Sequence, residues 1–264
     1  MKSRWLLTLA FYALGLSLVL SACTPAPDVK LTVFAAASLT DAFNAIGEQF
    51  KQQHAGVTLE FNFAGSQQLR TQLEQGAVAD VFAAANTKEM NTAIQSDLVI
   101  SGTPQTFARN RLAMIVPRDN PGGIADLKDL GRPGLKIVLA AASVPVGGYA
   151  LTSLDKMSAD FGATFSQTVI ANVVSYEDSV KQVVAKVQLG EADAGIVYTS
   201  DVTPATAEKV AKIDIPDKYN VLATYPIAVL KAAPNAELAQ AFMAYVLSVQ
   251  GQAVLSQRGF IPVK

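Results

Sequence analysis

The chain is short of cysteine, histidine, tryptophan and charge, and each shortage removes a class of function. One cysteine in 264 residues excludes a disulfide framework and any CxxC-type zinc site. One histidine, His54, is too few for a zinc centre, and any Ser-His-Asp chemistry would have to run through it. It sits in Gln52-Gln53-His54-Ala55-Gly56, a polar helix end where a basic side chain suits the helix dipole. The chain contains no G-x-S-x-G nucleophile elbow and no phosphate-loop glycine–lysine pattern, so a secreted enzyme is the disfavoured alternative. The formal net charge is only −1, without the basic excess of a nucleic-acid binder. Charged residues make up 16% and hydrophobic ones 50%, too apolar a balance for disorder.

The N-terminus explains part of that apolar excess. Lys2 and Arg4 precede an uncharged run from Trp5 to Leu20, and Leu20-Ser21-Ala22-Cys23 follows. This is the pattern of an export signal over residues 1–22. The LSAC string resembles a bacterial lipobox, which implies cleavage before Cys23 and lipidation of that cysteine. An uncleaved membrane helix is the rival, at the short end of the ~20 residues a span needs. Residues 23–29, with two prolines, read as a stiff tether. Without residues 1–22 the chain has 242 residues, 19 basic against 22 acidic, for a net charge of −3. The only tryptophan, Trp5, lies in the export segment.

From Lys30 onward short apolar runs alternate with helical patterns. Leu31–Ala37 reads as a buried strand, and Leu39, Phe43, Ile46 and Phe50 recur at helix spacing. Val57, Leu59, Phe61 and Phe63 alternate with polar residues, as in a strand. Further strands are expected at 81–85, 112–116, 136–142, 194–198 and 225–230. Helices are expected at 69–74, 149–161, 180–189 and 237–249. The alternation predicts an α/β chain with largely parallel strands. Strand ends at Ala35-Ala36-Ala37-Ser38 and Ala140-Ala141-Ala142-Ser143 hint at two similar units.

Ligands of open α/β sheets bind beyond the carboxyl ends of strands, where helix N-termini point inward. Four turns hold that position: the one at Ser38, Ala64-Gly65-Ser66, Val144-Pro145-Val146-Gly147-Gly148, and Ser175–Ser179. Ser38 is placed to N-cap the following helix. The four turns carry small residues, hydroxyls and backbone N–H groups, with no Lys or Arg. Such a set suits a compact anion held by dipoles.

Six strings, VFAAASLTDAF, QLEQGAVADVFAAAN, ARNRLAMIVP, SVPVGGYA, GEADAGIVYTSD and YPIAVLKAAPN, occur in that order. Together they resemble the bacterial periplasmic molybdate-binding proteins, solute receptors of molybdate ABC transporters. The resemblance covers about Leu31 to Phe260. It implies a type II periplasmic-binding-protein fold, with each lobe a mostly parallel sheet flanked by helices and a ligand cleft between the lobes. The implied division is residues 30–108 with 224–264 as lobe 1 and 109–223 as lobe 2, with strands crossing at Leu112–Val116 and Tyr225–Leu230. By motif, the oxyanion ligands would be the Ser38 and Ser66 hydroxyls, the Val146 and Val180 backbone N–H groups and the Tyr198 hydroxyl.

The resemblance further implies molybdate, with tungstate equivalent in charge and shape, an ABC permease as partner, no cofactor, no metal–protein bond and a monomer. Many family members carry a run of hydroxyl residues where this chain has Gly65-Ser66-Gln67, which turns attention to backbone N–H groups and to Gln67. Glu177 and Asp178 are expected to cap the Val180 helix, facing away from the anion. Sulfate on the same scaffold is the alternative ligand. Iron is disfavoured, because Thr199 rather than a second tyrosine follows Tyr198.

Overall fold

A computed structural model describes residues 29–263. The export segment, Cys23 and most of the tether lie outside the described residues. Val29, expected in the tether, already belongs to the first strand, β1 (Val29–Ala36).

The helices are α1 (Thr40–Gln53), α2 (Ser66–Glu74), α3 (Thr87–Gln95), α4 (Pro145–Phe161), α5 (Phe165–Ala171), α6 (Val180–Gln188), α7 (Pro204–Ala207), α8 (Ala236–Leu247) and α9 (Val249–Gln257). The remaining strands are β2 (Val57–Ala64), β3 (Val81–Ala83), β4 (Gln105–Asn110), β5 (Leu112–Pro117), β6 (Ile137–Ala140), β7 (Val173–Glu177), β8 (Ala194–Tyr198), β9 (Val210–Asp214), β10 (Ala223–Val229) and β11 (Ile261–Pro262). They form two sheets, β11-β4-β10-β3-β1-β2 and β7-β6-β8-β5-β9, one to each lobe.

Both sheets are mixed, which corrects the expectation of mostly parallel strands. β1 pairs parallel with β2 and β3, and β6 parallel with β7 and β8. The other pairings are antiparallel and involve the strands beside the crossings, β4, β5, β9 and β10, together with β11. Parallel neighbours need a long crossover, usually a helix, and the α/β units supply one. β4 passes into β5 through Arg111 alone, and since these two strands lie in different sheets no crossover helix is needed there. β4 escapes periodicity because QTFARN carries only Phe107 and Ala108 as apolar residues, and β9 because VAKID is short and lacks a regular alternation.

Alternation in β1 builds the first lobe. Leu31, Val33 and Ala35 face one core with Phe43, Phe50, Phe107 and Phe242, while Phe34 faces a second with Leu69, Phe82 and Met90. The sheet is therefore covered on both faces. β2 is the edge strand, and its strict alternation leaves Thr58 and Glu60 exposed. The expected closing helix stops at Leu247, since Ser248 accepts from the Gly251 N–H and caps a second helix. Among the described residues no single helix is long and apolar enough to cross a membrane; α8 and α9 pass that test only as a pair bent by 60°.

Two buried asparagines secure the crossings. The Asn110 Oδ1 accepts from Arg111 N and the Thr199 hydroxyl, and its Nδ2 donates to Ser200 Oγ. Asn220 Oδ1 accepts from Leu112 N and Val221 N, and its Nδ2 donates to the Leu112 and Ile215 carbonyls, all at 2.9 Å. Asn220→Ala leaves these backbone groups without their partner in a buried place. The expected loss is about 2–4 kcal/mol of unfolding free energy, read from urea denaturation.

Candidate functional site

The residues singled out by sequence meet in one cavity. It is lined by Ala36–Ser38, Ala64–Ser66, Ala85, Val144–Val146, Val180 and Tyr198, which brings together all five candidate ligand positions. It is small, with only about 10 Å³ of room for the centre of a water-sized sphere, far below the roughly 300–1,000 Å³ of pockets that take organic ligands. No lining residue carries a charge.

Each wall follows from local structure. β1 ends at Ala36 and the chain makes a 3₁₀ turn, Ala37–Leu39, before α1 starts at Thr40. That turn puts Leu39, not Ser38, at the N-cap, so the expected cap is not made. Ser38 is buried instead, its Oγ 3.0 Å from the Tyr225 hydroxyl. Ser66 opens α2 behind Gly65, and its Oγ accepts from the Ala85 N–H at 3.0 Å. Val146 is the second residue of α4, after Pro145, and Val180 is the first of α6. Helix geometry leaves their N–H groups without an intrahelical acceptor. Tyr198 ends β8, fully buried, and its hydroxyl has no hydrogen-bond partner among the described residues. Burial pushes that phenol well above its ordinary pKa, so it stays a neutral donor.

Three helix N-termini thus converge with two serine hydroxyls and a phenol. Helix N-termini carry partial positive charge, and every polar group named can donate. The arrangement can hold a small anion by hydrogen bonds alone. Among the described residues no group of three or more His, Cys, Asp or Glu side chains is placed to hold a metal ion. His54 follows α1, its ring stacked on Phe50 with Nδ1 3.0 Å from the Phe50 carbonyl, and does not line the cavity.

The two lobes touch around the cavity through residues that periodicity did not single out. A Cβ on Gly65 would come within 2.5 Å of the Asp178 carbonyl oxygen, so only glycine fits. Gln67 Nε2 donates to that same carbonyl at 3.1 Å, so this amide spans the lobes and does not line the cavity. Lys181 Nζ, next to Val180, lies 2.9 Å from Asp41 of the first lobe and 3.6 Å from buried Asp201. Burial works against the Lys181 charge, but Asp201 and Asp41 outweigh it and raise its pKa. Asp201 also accepts from the Tyr198 N–H at 3.1 Å. Glu177 and Asp178 are not caps: Ser179 is the N-cap of α6, and Glu177 ends β7 paired with Lys186. The overlooked signal was helix phase, since Lys181 follows a ligand turn by one residue and Asp41 sits in the first turn of α1.

Two outcomes follow from this geometry. A Cβ on Gly147 would lie 2.1 Å from the Ala141 carbonyl and 2.4 Å from that of Ala140. Gly147→Ala is therefore expected to displace the first turn of α4 and weaken anion binding at least tenfold, measured by calorimetry. Burial raises the Asp201 pKa from 3.8 to about 6, so the folded chain holds that proton more tightly than the unfolded chain. The associated stability is complete below pH 3.8 and is lost as pH rises through 6. Asp201→Asn should flatten this part of a urea-unfolding profile against pH.

Known proteins share both the sequence and this architecture. Residues 31–261 match the model of the family described as bacterial extracellular solute-binding protein. The chain is 43% identical over 231 residues to the molybdate-binding protein ModA of Mycobacterium tuberculosis, covering 88% of this chain and 84% of that one. It is 33% identical over 269 residues to the molybdate-binding protein ModA of Escherichia coli, covering 98% and 99%. The periplasmic molybdate-binding protein of Azotobacter vinelandii shares the fold, with a TM-score of 0.77 at 20% identity over 89% of this chain and 100% of that one. With a match across nearly all described residues, the chain belongs to the bacterial extracellular solute-binding proteins.

Proposed function

We propose that this protein is an extracytoplasmic receptor that captures molybdate and hands it to an ABC permease. A single observation carries the reading: a cavity without charged walls, fed by three helix N-termini and three hydroxyls, in a chain 43% identical to a molybdate-binding protein. A doubly charged oxyanion accepts hydrogen bonds and, fully deprotonated, gives none. The proposed ligands are the hydroxyls of Ser38, Ser66 and Tyr198 and the N–H groups of Val146 and Val180. Hydrogen bonds to a charged group contribute roughly 1.5–3 kcal/mol each. Five of them suffice for tight capture without a cation.

The chemistry is binding and release, with no catalytic group, cofactor or metal–protein bond. Tungstate, of the same charge and shape, binds the same donors. The lobes, residues 30–108 with 224–264 and residues 109–223, close over the ion by hinge motion. The closed state prevails because it alone completes the donor set. Lipid on Cys23 holds the monomer at the periplasmic or outer face of a membrane.

Thermal shift and calorimetry against molybdate, tungstate, sulfate, phosphate and Fe³⁺ test this reading. Molybdate and tungstate are expected to stabilise the fold, by about 2.7 kcal/mol at 100 times the Kd. A response to sulfate alone would move the assignment to that ion, and silence toward every oxyanion would remove it. Ser38→Ala and Tyr198→Phe should each cost about 1–3 kcal/mol of binding.

A further inference from the structure

Ser38 can serve an anion only if its single proton points into the cavity. A serine hydroxyl has one proton and two lone pairs, and a rotor that turns its lone pairs inward repels the ion. Something behind the serine must therefore occupy its oxygen as a donor. For Ser66 that group is plain: the Ala85 N–H donates to Oγ at 3.0 Å and can do nothing else. The Ser66 proton is left for the cavity.

Behind Ser38 stands the Tyr225 hydroxyl, 3.0 Å from Oγ. Either oxygen could donate by distance alone, so the surroundings decide. Tyr225 is fully buried, and its ring is wedged edge-on among Phe107, Phe260 and Tyr198, with centroids 6.2, 5.4 and 5.8 Å away. Asn110 and Tyr198 also meet its hydroxyl, and Asn110, whose Oδ1 already accepts from Arg111 N and the Thr199 hydroxyl, faces it with amide protons to donate. If Ser38 were the donor, its one proton would be spent on Tyr225 and Ser38 would face the cavity with lone pairs. If Tyr225 donates, both protons are used, one on Ser38 and one on the ion. Burial also holds the phenol far above its ordinary pKa, so it remains a donor at every working pH.

We infer that Tyr225 is a positioning residue for the anion site: its hydroxyl donates to Ser38 Oγ and turns the Ser38 proton into the cavity. It touches no ligand itself, since it does not line the cavity. It plays for Ser38 the part that a backbone amide plays for Ser66. Tyr225 reaches this place because β10 returns from the second lobe and lays it beneath the turn after β1. Its ring also rests on Tyr198 of the opposite lobe, so one residue stands behind donors from both walls.

The inference rests on the receptor reading, and the experiment separates the two. Kd for sodium molybdate is measured by calorimetry for the wild type, Tyr225→Phe, Ser38→Ala, Ser66→Ala and the two double variants with Tyr225→Phe. Thermal unfolding without ligand is recorded for each. Tyr225→Phe keeps the ring and its packing, so it should fold, and it should raise Kd about tenfold. Added to Ser38→Ala it should change Kd less than twofold, because the hydroxyl it orients is gone. Added to Ser66→Ala it should keep its full tenfold effect. A purely structural hydroxyl would lower the unfolding temperature and leave Kd alone, or would act equally in both serine backgrounds. Either result overturns the role of Tyr225 while molybdate binding by the wild type stands. A wild type that binds no oxyanion overturns both.

Discussion

Helix N–H groups aimed into a buried cavity need an acceptor, and the architecture around that cavity is organised by this requirement. α2, α4 and α6 each begin at its wall, and their first-turn donors have no partner within their own helices. An unpaired buried donor costs about 1–3 kcal/mol. In the proposed receptor a bound oxyanion would remove that cost at several groups at once. It also explains why the walls are alanine, glycine, proline and valine: small side chains let backbone approach the ion. The net negative charge of the chain does not oppose this, because local dipoles act at contact distance while exposed charges are screened beyond about 10 Å.

Charged residues beside the cavity are paired with one another across the lobes. Lys181 lies between Asp41 and Asp201, so the cation next to Val180 joins the lobes. Partly exposed pairs of this kind contribute about 1 kcal/mol or less, so the contact between Lys181 and Asp41 can yield when the cleft opens. Asn110 and Asn220 work differently. Both are buried and heavily bonded, and they tie down the backbone at the two crossings.

Hydroxyl direction is a second constraint, subtler than donor placement. Ser38 and Ser66 come from different turns and are held by different groups, a phenol and a peptide amide. The outcome is the same: each oxygen already accepts a bond from behind. A site built this way does not have to reorganise its donors when the ion arrives, which lowers the entropy cost of binding.

The strands and helices with regular apolar spacing were legible in the chain itself, but of the four expected turns Ser175–Glu177 belongs to strand β7 and Pro145–Gly148 to the first turn of α4. Ser38, Ser66, Val146, Val180 and Tyr198 were all marked by motif and do line one cavity. What escaped had weak periodicity or depended on distant partners. β4 carries few apolar residues and β9 is a five-residue strand without regular alternation, so neither stands out from its surroundings. Ser38 looked like a helix cap because a serine before a helix usually is one, and only the inserted 3₁₀ turn displaced it. Sequence alone determined the α/β class, the donor chemistry of the turns and the family, because these rest on local spacing and residue type. Tertiary structure alone decided the mixed sheets, the pairing of Lys181 with Asp41 across 140 residues and of Ser38 with Tyr225 across 187. Those contacts depend on where the crossing strands bring distant segments together, and no local pattern encodes that.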